Sequence, residues 1–330
     1  MAAIPLPRQG ADGLRKGRGE EMRPLGKHIH DHQATLLLFF FLQTHHPGDT
    51  PEYRNHDNNT VKQAMARANL KRLFASEQLK VSHALFEFST PGIGQLLGSA
   101  GVDFVFVDME HSGFGISEIK ELVTSMRAAG LPSMVRPPSK SYHHIARTLD
   151  VGADGLLLPM VASADEAREI IKHMYYPPKG HRGIALGIAH DGYAPRTPSA
   201  ALAAANRRIA MAALIETAEG VDNVEAIAAV PGVDCLWLGH FDLSASLGIP
   251  GQFDHPDFVR AERRIRRAAR RHGKALGFLV VDAKQGSDCF RKGYDVICYQ
   301  MDTLTYQQTL SQGIGDLRRR CGRAKAPGKR

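Results

Sequence analysis

Several things are scarce in this chain, and each scarcity narrows what it can be. Cysteine occurs four times in 330 residues (Cys235, Cys289, Cys298 and Cys321), with no Cys-x-x-Cys pair. That usage argues against a disulfide framework or a thiolate metal cluster and fits reduced thiols in a cytoplasmic protein. No apolar run approaches the ~20 residues that span a bilayer. The longest one outside the strand-like segments, LLLFFFL at 36–42, also lies behind a long polar, Gly-rich stretch, which makes it a poor signal peptide. Aromatic residues make up 7% of the chain and none interleaves with its two basic concentrations, RAERRIRRAARR at 260–271 and DLRRRCGRAKAPGKR at the C-terminus. The net charge of +8 therefore reads as solvated faces and tails rather than a nucleic-acid surface.

What the chain does have is a hydrophobic fraction of 43% and a long alternation of strand-like and helix-like segments. Residues 1–57 carry Pro, Gly, Arg and His with little periodicity and read as a disordered extension, or as sequence upstream of a start near Met65. Its HIHDH cluster at 28–32 reads as solvated histidines rather than a metal site. From residue 58 to 317 eight strand candidates follow, at 81–89, 102–109, 133–137, 155–161, 211–216, 235–239, 275–281 and 295–301. Helix-like stretches separate most of them. One, SADEAREIIKHMYY, opens with a capping-box pattern, Ser163 followed by Glu166. Eight such alternations predict an α/β fold of the TIM (β/α)8 barrel type, with residues 318–330 as a basic tail. The one long interruption, 175–198, has the length of a loop that shapes a barrel mouth.

Polar residues stand where the strand-like runs end. VDFVFVDMEH closes on Glu110 and His111, SMVRPP on Arg136, AALIET on Glu216 and LWLGHFDLS on Asp242. In a barrel these ends surround one mouth. Glu216 and Asp242, on successive strands, can hold a divalent cation such as Mg²⁺ or Mn²⁺, with water and substrate completing its shell. A cation with open positions can bind a 2-oxo acid and stabilise its enolate. Each carboxylate alone also fits a helix cap; the pair favours metal. Arg136 is a permanent cation able to face an oxyanion, or a partner for nearby acids. His111 shares the rim with Asp150 of TLDVGADG, a carboxylate that would raise its basicity and fix its tautomer. PGIGQLLG at 91–98 misses the GxGxxG spacing and reads as a βα loop opening a helix.

In order along the chain, VDMEH, VRPP, LDVGADGLLLPMV, ADEAREI, YPPKGHRG, IET, GHFDLS and His255–Pro256 resemble the HpcH/HpaI aldolase family, the class II metal-dependent pyruvate aldolases. The resemblance runs from about Thr60 to Leu317. It implies a TIM barrel, often hexameric through exchange of a terminal helix, that cleaves 4-hydroxy-2-oxo acids to pyruvate and an aldehyde with Mg²⁺, Mn²⁺ or Co²⁺. It implies His111 as general base with Asp150 behind it, and Arg136 as the group that stabilises the enolate-like transition state. It makes Glu216 and Asp242 the metal ligands and the Gly239–Phe241 turn the seat of the pyruvate carboxylate. Two departures stand out. Leu214 replaces a Gln that many members place against substrate, and His240–Phe241 replace Pro–Ala. Both bear on which substrate is taken. The alternatives are an acyl-CoA lyase of the citrate lyase β-chain type, with helix 260–271 attracting CoA phosphates, or a catalytically inactive barrel serving as an assembly subunit. Small-molecule 2-oxo acids and copies of the chain itself are the expected partners, with no nucleic acid and no membrane.

Overall fold

The computed structural model describes residues 69–194 and 196–322. Eight parallel strands close into a barrel in chain order: β1 Lys80–Leu85, β2 Phe104–Asp108, β3 Ser133–Arg136, β4 Gly155–Leu158, β5 Ala210–Ile215, β6 Cys235–Leu238, β7 Ala275–Val280 and β8 Val296–Met301. The predicted barrel is therefore present. Around it run α1 Leu70–Phe74, α2 Ile93–Ser99, α3 Ile116–Ala128, α4 Tyr142–Asp150, α5 Ala164–Met174, α6 Pro198–Arg208, α7 Ala218–Asp222, α8 Val224–Ala229, α9 His240–Ser246, α10 Pro256–Arg271, α11 Ala283–Arg291 and α12 Asp302–Cys321. Among the described residues no helix is long and apolar enough to cross a membrane.

The expected extension, the 57/58 boundary, the HIHDH cluster and LLLFFFL all lie outside the described residues. Two boundaries differ from expectation. The expected strand 155–161 ends at Leu158, because Pro159 has no amide to continue the ladder. The basic run Arg318, Arg319, Arg320 belongs to the last turn of α12 rather than to a tail, and that is where cations complement a helix C-terminus.

The strands alternate their side chains between two apolar layers. Phe104, Phe106, Met134, Leu157, Leu214, Trp237 and Cys298 fill the barrel interior. Val105, Val107, Val135, Leu156, Leu158, Met211, Leu236 and Ile297 face the helices. The interior is filled to its limit beside Trp237: a Cβ on Gly277 would stand 2.2 Å from the indole ring, so only glycine fits on β7 there.

One sequence signal for the barrel floor was missed. Gly-x-Asp recurs before every even-numbered strand, as Gly101–Asp103, Gly152–Asp154, Gly232–Asp234 and Gly293–Asp295. Each glycine takes a positive φ, from 85° to 110°, a conformation that L side chains rarely adopt. Two residues later each Asp ties back to the preceding odd strand. Its amide donates to the carbonyls of Val81, Ser133, Met211 and Leu276 in turn. Its carboxylate accepts the amide of the same residue, at 2.7, 3.0, 3.0 and 2.7 Å. Three of these carboxylates also hold a cation: Asp154 holds Arg208, Asp234 holds Lys71, and Asp295 holds the buried Lys80.

Removing one of these carboxylates strands both a β-strand amide and a largely buried cation. Asp234→Ala is expected to lower unfolding stability by about 2–4 kcal/mol. Asp234→Asn keeps an acceptor for Met211 and should lose clearly less. Urea unfolding of the three proteins checks the order.

Candidate active site

Asp108 ends β2 and is completely buried. Its Oδ1 accepts from Arg136 Nε at 2.6 Å and from the Glu110 amide at 3.1 Å; its Oδ2 accepts from the His111 amide at 2.9 Å. One carboxylate therefore orients the guanidinium at the end of β3 and folds the Glu110–His111 turn. Arg136 also pairs through Nη1 with Glu110 Oε2 at 3.1 Å and lies over the Phe106 ring. Burial weakens the charged form of Arg136, but the Asp108 hydrogen bond and charge, then Glu110 and Glu216, outweigh it and raise the pKa. Sequence reading assigned Asp108 no role. The signal was an acid inside an otherwise fully apolar strand, FVFVD.

Glu216, one residue beyond β5, is buried. Its Oε1 accepts the Met160 amide at 2.7 Å. Met160 adopts a left-handed φ of 53° to deliver that amide. The other oxygen lies against Gly239, where an added Cβ would stand 2.5 Å from it. Burial pushes the Glu216 carboxyl up to about 7; the Met160 hydrogen bond opposes this, Asp242 adds to it, Arg136 opposes it and Glu110 adds to it. Asp242 sits in the first turn of α9, exposed, within electrostatic reach of Glu216.

Asp108, Glu110 and Glu216 thus share one guanidinium, and Asp242 adds its charge at Glu216. A carboxylate pushed off its ordinary pKa chiefly by burial, with a second acid beside it, is a donor set that a divalent cation fits, and two carboxylates with water and substrate suffice to hold one. Glu216 and Asp242 would hold it.

The Gly239–Phe241 turn differs from expectation in one atom. The Gly239 amide is taken by the Ile215 carbonyl, so the amides left at the start of α9 are those of His240 and Phe241. The His240 ring packs against Phe241, Phe253 and Phe278 at centroid distances of 4.4, 5.1 and 4.9 Å. Burial lowers its pKa to about 4, against the pull of Asp242, so the ring is neutral at pH 7. Phe241 is 65% exposed at the mouth. Leu214 lies inside the barrel with Phe106 and Trp237, so the floor below the site is apolar where a Gln was the family pattern.

His111 and Asp150 are not in contact. The His111 ring is exposed, with Nε2 at 3.8 Å from Glu110 Oε2. Asp150, the last residue of α4, pairs instead with Arg182. Arg182 comes from the long loop, is buried and stacks on Tyr176 with its Nε and Nη1 unpartnered. Sequence reading gave it no role, although it stands in the quoted YPPKGHRG.

A cleft of about 890 Å³ opens at the opposite end of the barrel, between α10 and the turns entering β1, β7 and β8. Arg263, Arg266, Arg267 and Arg270 line it and none of the strand-end acids reaches it. Titratable groups with a shared electrostatic network mark the site better than volume does.

Residues 88–308 match the HpcH/HpaI aldolase/citrate lyase family. The chain belongs to that family. It is 32% identical over 222 residues to 2-keto-3-deoxy-L-rhamnonate aldolase of Klebsiella pneumoniae, covering 67% of this chain and 83% of the relative. It is 34% identical over 251 residues to hydroxypyruvate/pyruvate aldolase of Paraburkholderia phytofirmans, covering 73% and 96%. Among solved structures, the HpcH/HpaI aldolase from Desulfitobacterium hafniense superposes with a TM-score of 0.72 at 31% identity, covering 79% of this chain and 98% of that one. The HpcH/HpaI chain is accordingly a divalent-metal-dependent aldolase, a carbon–carbon lyase.

Glu216 sets a pH signature in this aldolase. Its folded pKa lies above the ordinary Glu value, so its contribution to cation-free stability is complete below the Glu range and lost as pH rises through about 7. In chelator, wild type should lose on the order of 3 kcal/mol between pH 4.5 and 8 relative to Glu216→Gln. Cation binding must displace the same proton, so Mn²⁺ affinity should fall about tenfold per pH unit below 7. Calorimetric titration at pH 6, 7 and 8 reads this, and an affinity flat across that range would remove Glu216 as a ligand.

Proposed function

We propose that this aldolase cleaves a 4-hydroxy-2-oxo acid to pyruvate and an aldehyde by retro-aldol chemistry, using Mg²⁺, Mn²⁺ or Co²⁺. The observation that carries the reading is the convergence of three carboxylates, Asp108, Glu110 and Glu216, on Arg136, with Glu216 buried and Asp242 within electrostatic reach of it. When bound by Glu216 and Asp242, the cation supplies Lewis-acid polarisation of the 2-oxo acid. Arg136, fixed by Asp108, faces the oxygen on which negative charge develops as the carbon–carbon bond breaks. The amides of His240 and Phe241 receive the substrate carboxylate. His111 takes the proton of the C4 hydroxyl, and its freedom at the rim suits transfer to and from solvent. The carboxylate set beside it is Glu110; Asp150 acts from further back by holding Arg182, and with it the loop after α5.

The aldehyde end of the substrate meets His240 and Phe241. A neutral imidazole packed among phenyl rings offers dispersion and little hydrogen bonding. This favours an aldehyde with an apolar face over a heavily hydroxylated one.

The acyl-CoA reading is the weaker one. It relied on the α10 arginines meeting CoA phosphates, yet four of them line the cleft at the far end of the barrel. Arg264 and Arg271 pair with Asp222 and Glu225. A homo-oligomer, hexameric by family resemblance, is supported by the exposed stripe Tyr306, Leu310, Ile314 and Leu317 on α12, an apolar face with helical spacing. Reduced buried cysteines suit a cytoplasmic location.

Pyruvate methyl-proton exchange in D₂O, followed by NMR with Mn²⁺ or Mg²⁺ and then with EDTA, tests the site without knowledge of the aldehyde. Exchange should require the cation and fall by about 10²–10³ in Arg136→Ala. No exchange with any cation would count against a pyruvate enolate. His111→Ala should slow cleavage by about 10²–10⁴ while pyruvate and Mn²⁺ still bind. An unchanged cleavage rate would remove His111 as the base. In an aldehyde panel run in the condensation direction, Phe241→Ala should shift the preference through KM; an unmoved ranking would take Phe241 out of the aldehyde site.

A further inference from the structure

A second cluster of metal-ligand side chains lies away from the strand ends, where α5 meets the loop that follows it. Glu169 and His173 are four residues apart on α5 and share a face. Glu169 Oε1 stands 3.4 Å from His173 Nε2. His181 returns to the same spot from the loop. Its amide donates to the Lys172 carbonyl at 2.9 Å, and the Arg182 amide donates to the Tyr175 carbonyl at 3.0 Å. The backbone there packs so closely on the helix end that a Cβ on Gly180 would stand 2.4 Å from both carbonyls. The two imidazoles meet edge to face at a centroid distance of 5.2 Å, with the Tyr142 ring against both. One ligand atom from each of the three residues lies within 4.8 Å of the other two.

His173 Nδ1 is buried and has no hydrogen-bond partner, while Nε2 is the ring nitrogen turned toward Glu169. Burial lowers the His173 pKa; Glu169 opposes this, while His181 and Lys172 push the same way. A neutral imidazole carries the lone pair that a metal needs. Glu169 Oε2 is engaged by Lys172 at 2.9 Å, but that pair is half exposed and weakly held, and Oε1 remains directed at the histidines.

We propose that Glu169, His173 and His181 form a second metal site, separate from Glu216 and Asp242, that takes Zn²⁺ or a chemically similar transition metal. Two imidazoles and one carboxylate are a donor set for zinc-class ions, with water in the fourth position, whereas Mg²⁺ prefers oxygen alone. Occupation ties the end of α5 to the turn carrying His181. The next residue, Arg182, holds Asp150 on α4, so the bound ion stiffens the loop shaping the barrel mouth. The site stands on its own geometry and does not depend on which reaction the strand ends perform.

The test is calorimetric titration of the full-length, chelator-stripped protein with Zn²⁺, wild type against His181→Ala, His173→Ala and Glu169→Gln. Any Zn²⁺ taken up elsewhere, by the other histidines or by the strand-end acids, is common to all four proteins, so the difference isolates this cluster. The expected result is a Zn²⁺ stoichiometry lower by one in His181→Ala and His173→Ala, with restoration in His181→Cys. The Zn²⁺-dependent rise in Tm should shrink in step. Equal stoichiometry in wild type and His181→Ala would overturn the proposal. His181 is exposed on a turn, so that variant decides the question even if His173→Ala does not fold, as circular dichroism would show.

Discussion

The mouth of this barrel depends on the contact between Asp108 and Arg136. Both groups are buried, and each would be costly alone; together, at 2.6 Å, each supplies the other with a hydrogen-bond partner and a counter-charge. Asp108 also captures the amides of Glu110 and His111, so one carboxylate fixes the guanidinium, the second acid and the imidazole-bearing turn. Arg136 then acts on Glu216 through space, drawing its pKa down against burial and two neighbouring acids. The strand-end groups are consequently a coupled network, in which a change at Asp108 on β2 is felt at Glu216, three strands away.

The opposite end of the barrel handles charge differently. There the Gly-x-Asp carboxylates meet strand amides, and Asp154, Asp234 and Asp295 also meet Arg208, Lys71 and Lys80. Three of the four Gly-x-Asp carboxylates at the floor are each matched by a cation, whereas the acids clustered at the mouth outnumber Arg136. This division follows the rule that barrels keep stability at the N-terminal face and chemistry at the C-terminal one.

Much of this was legible in the sequence, for a physical reason. Parallel strands buried on both faces show as unbroken apolar runs, so all eight announced themselves, and a polar residue at the end of such a run has nowhere to go but the mouth. Glu110, Arg136, Glu216 and Asp242 were found that way. What escaped depended on contacts distant in sequence. Asp108 looks like one more strand residue until Arg136 is seen beside it. Asp150 was matched to His111, but Arg182 arrives from a loop whose path no periodicity reveals. The Gly-x-Asp repeat was readable and was overlooked, because its spacing tracks pairs of strands rather than single ones. The basic run at 318–320 looked like a tail, because charge patterning does not distinguish a solvated helix end from an unstructured one.

The left-handed backbone at Met160 has a consequence for how this site can change over time. Holding a non-glycine residue there costs about 1–2 kcal/mol, while a hydrogen bond to a buried charged acceptor returns about 1.5–3 kcal/mol. The balance is met by the peptide unit alone; the side chain of Met160 points to solvent and contributes nothing to Glu216. Position 160 is therefore free to drift among residue types that tolerate a left-handed backbone and closed to proline. A determinant of where the Glu216 carboxylate sits lies here, at a place where residue identity carries almost no record of it.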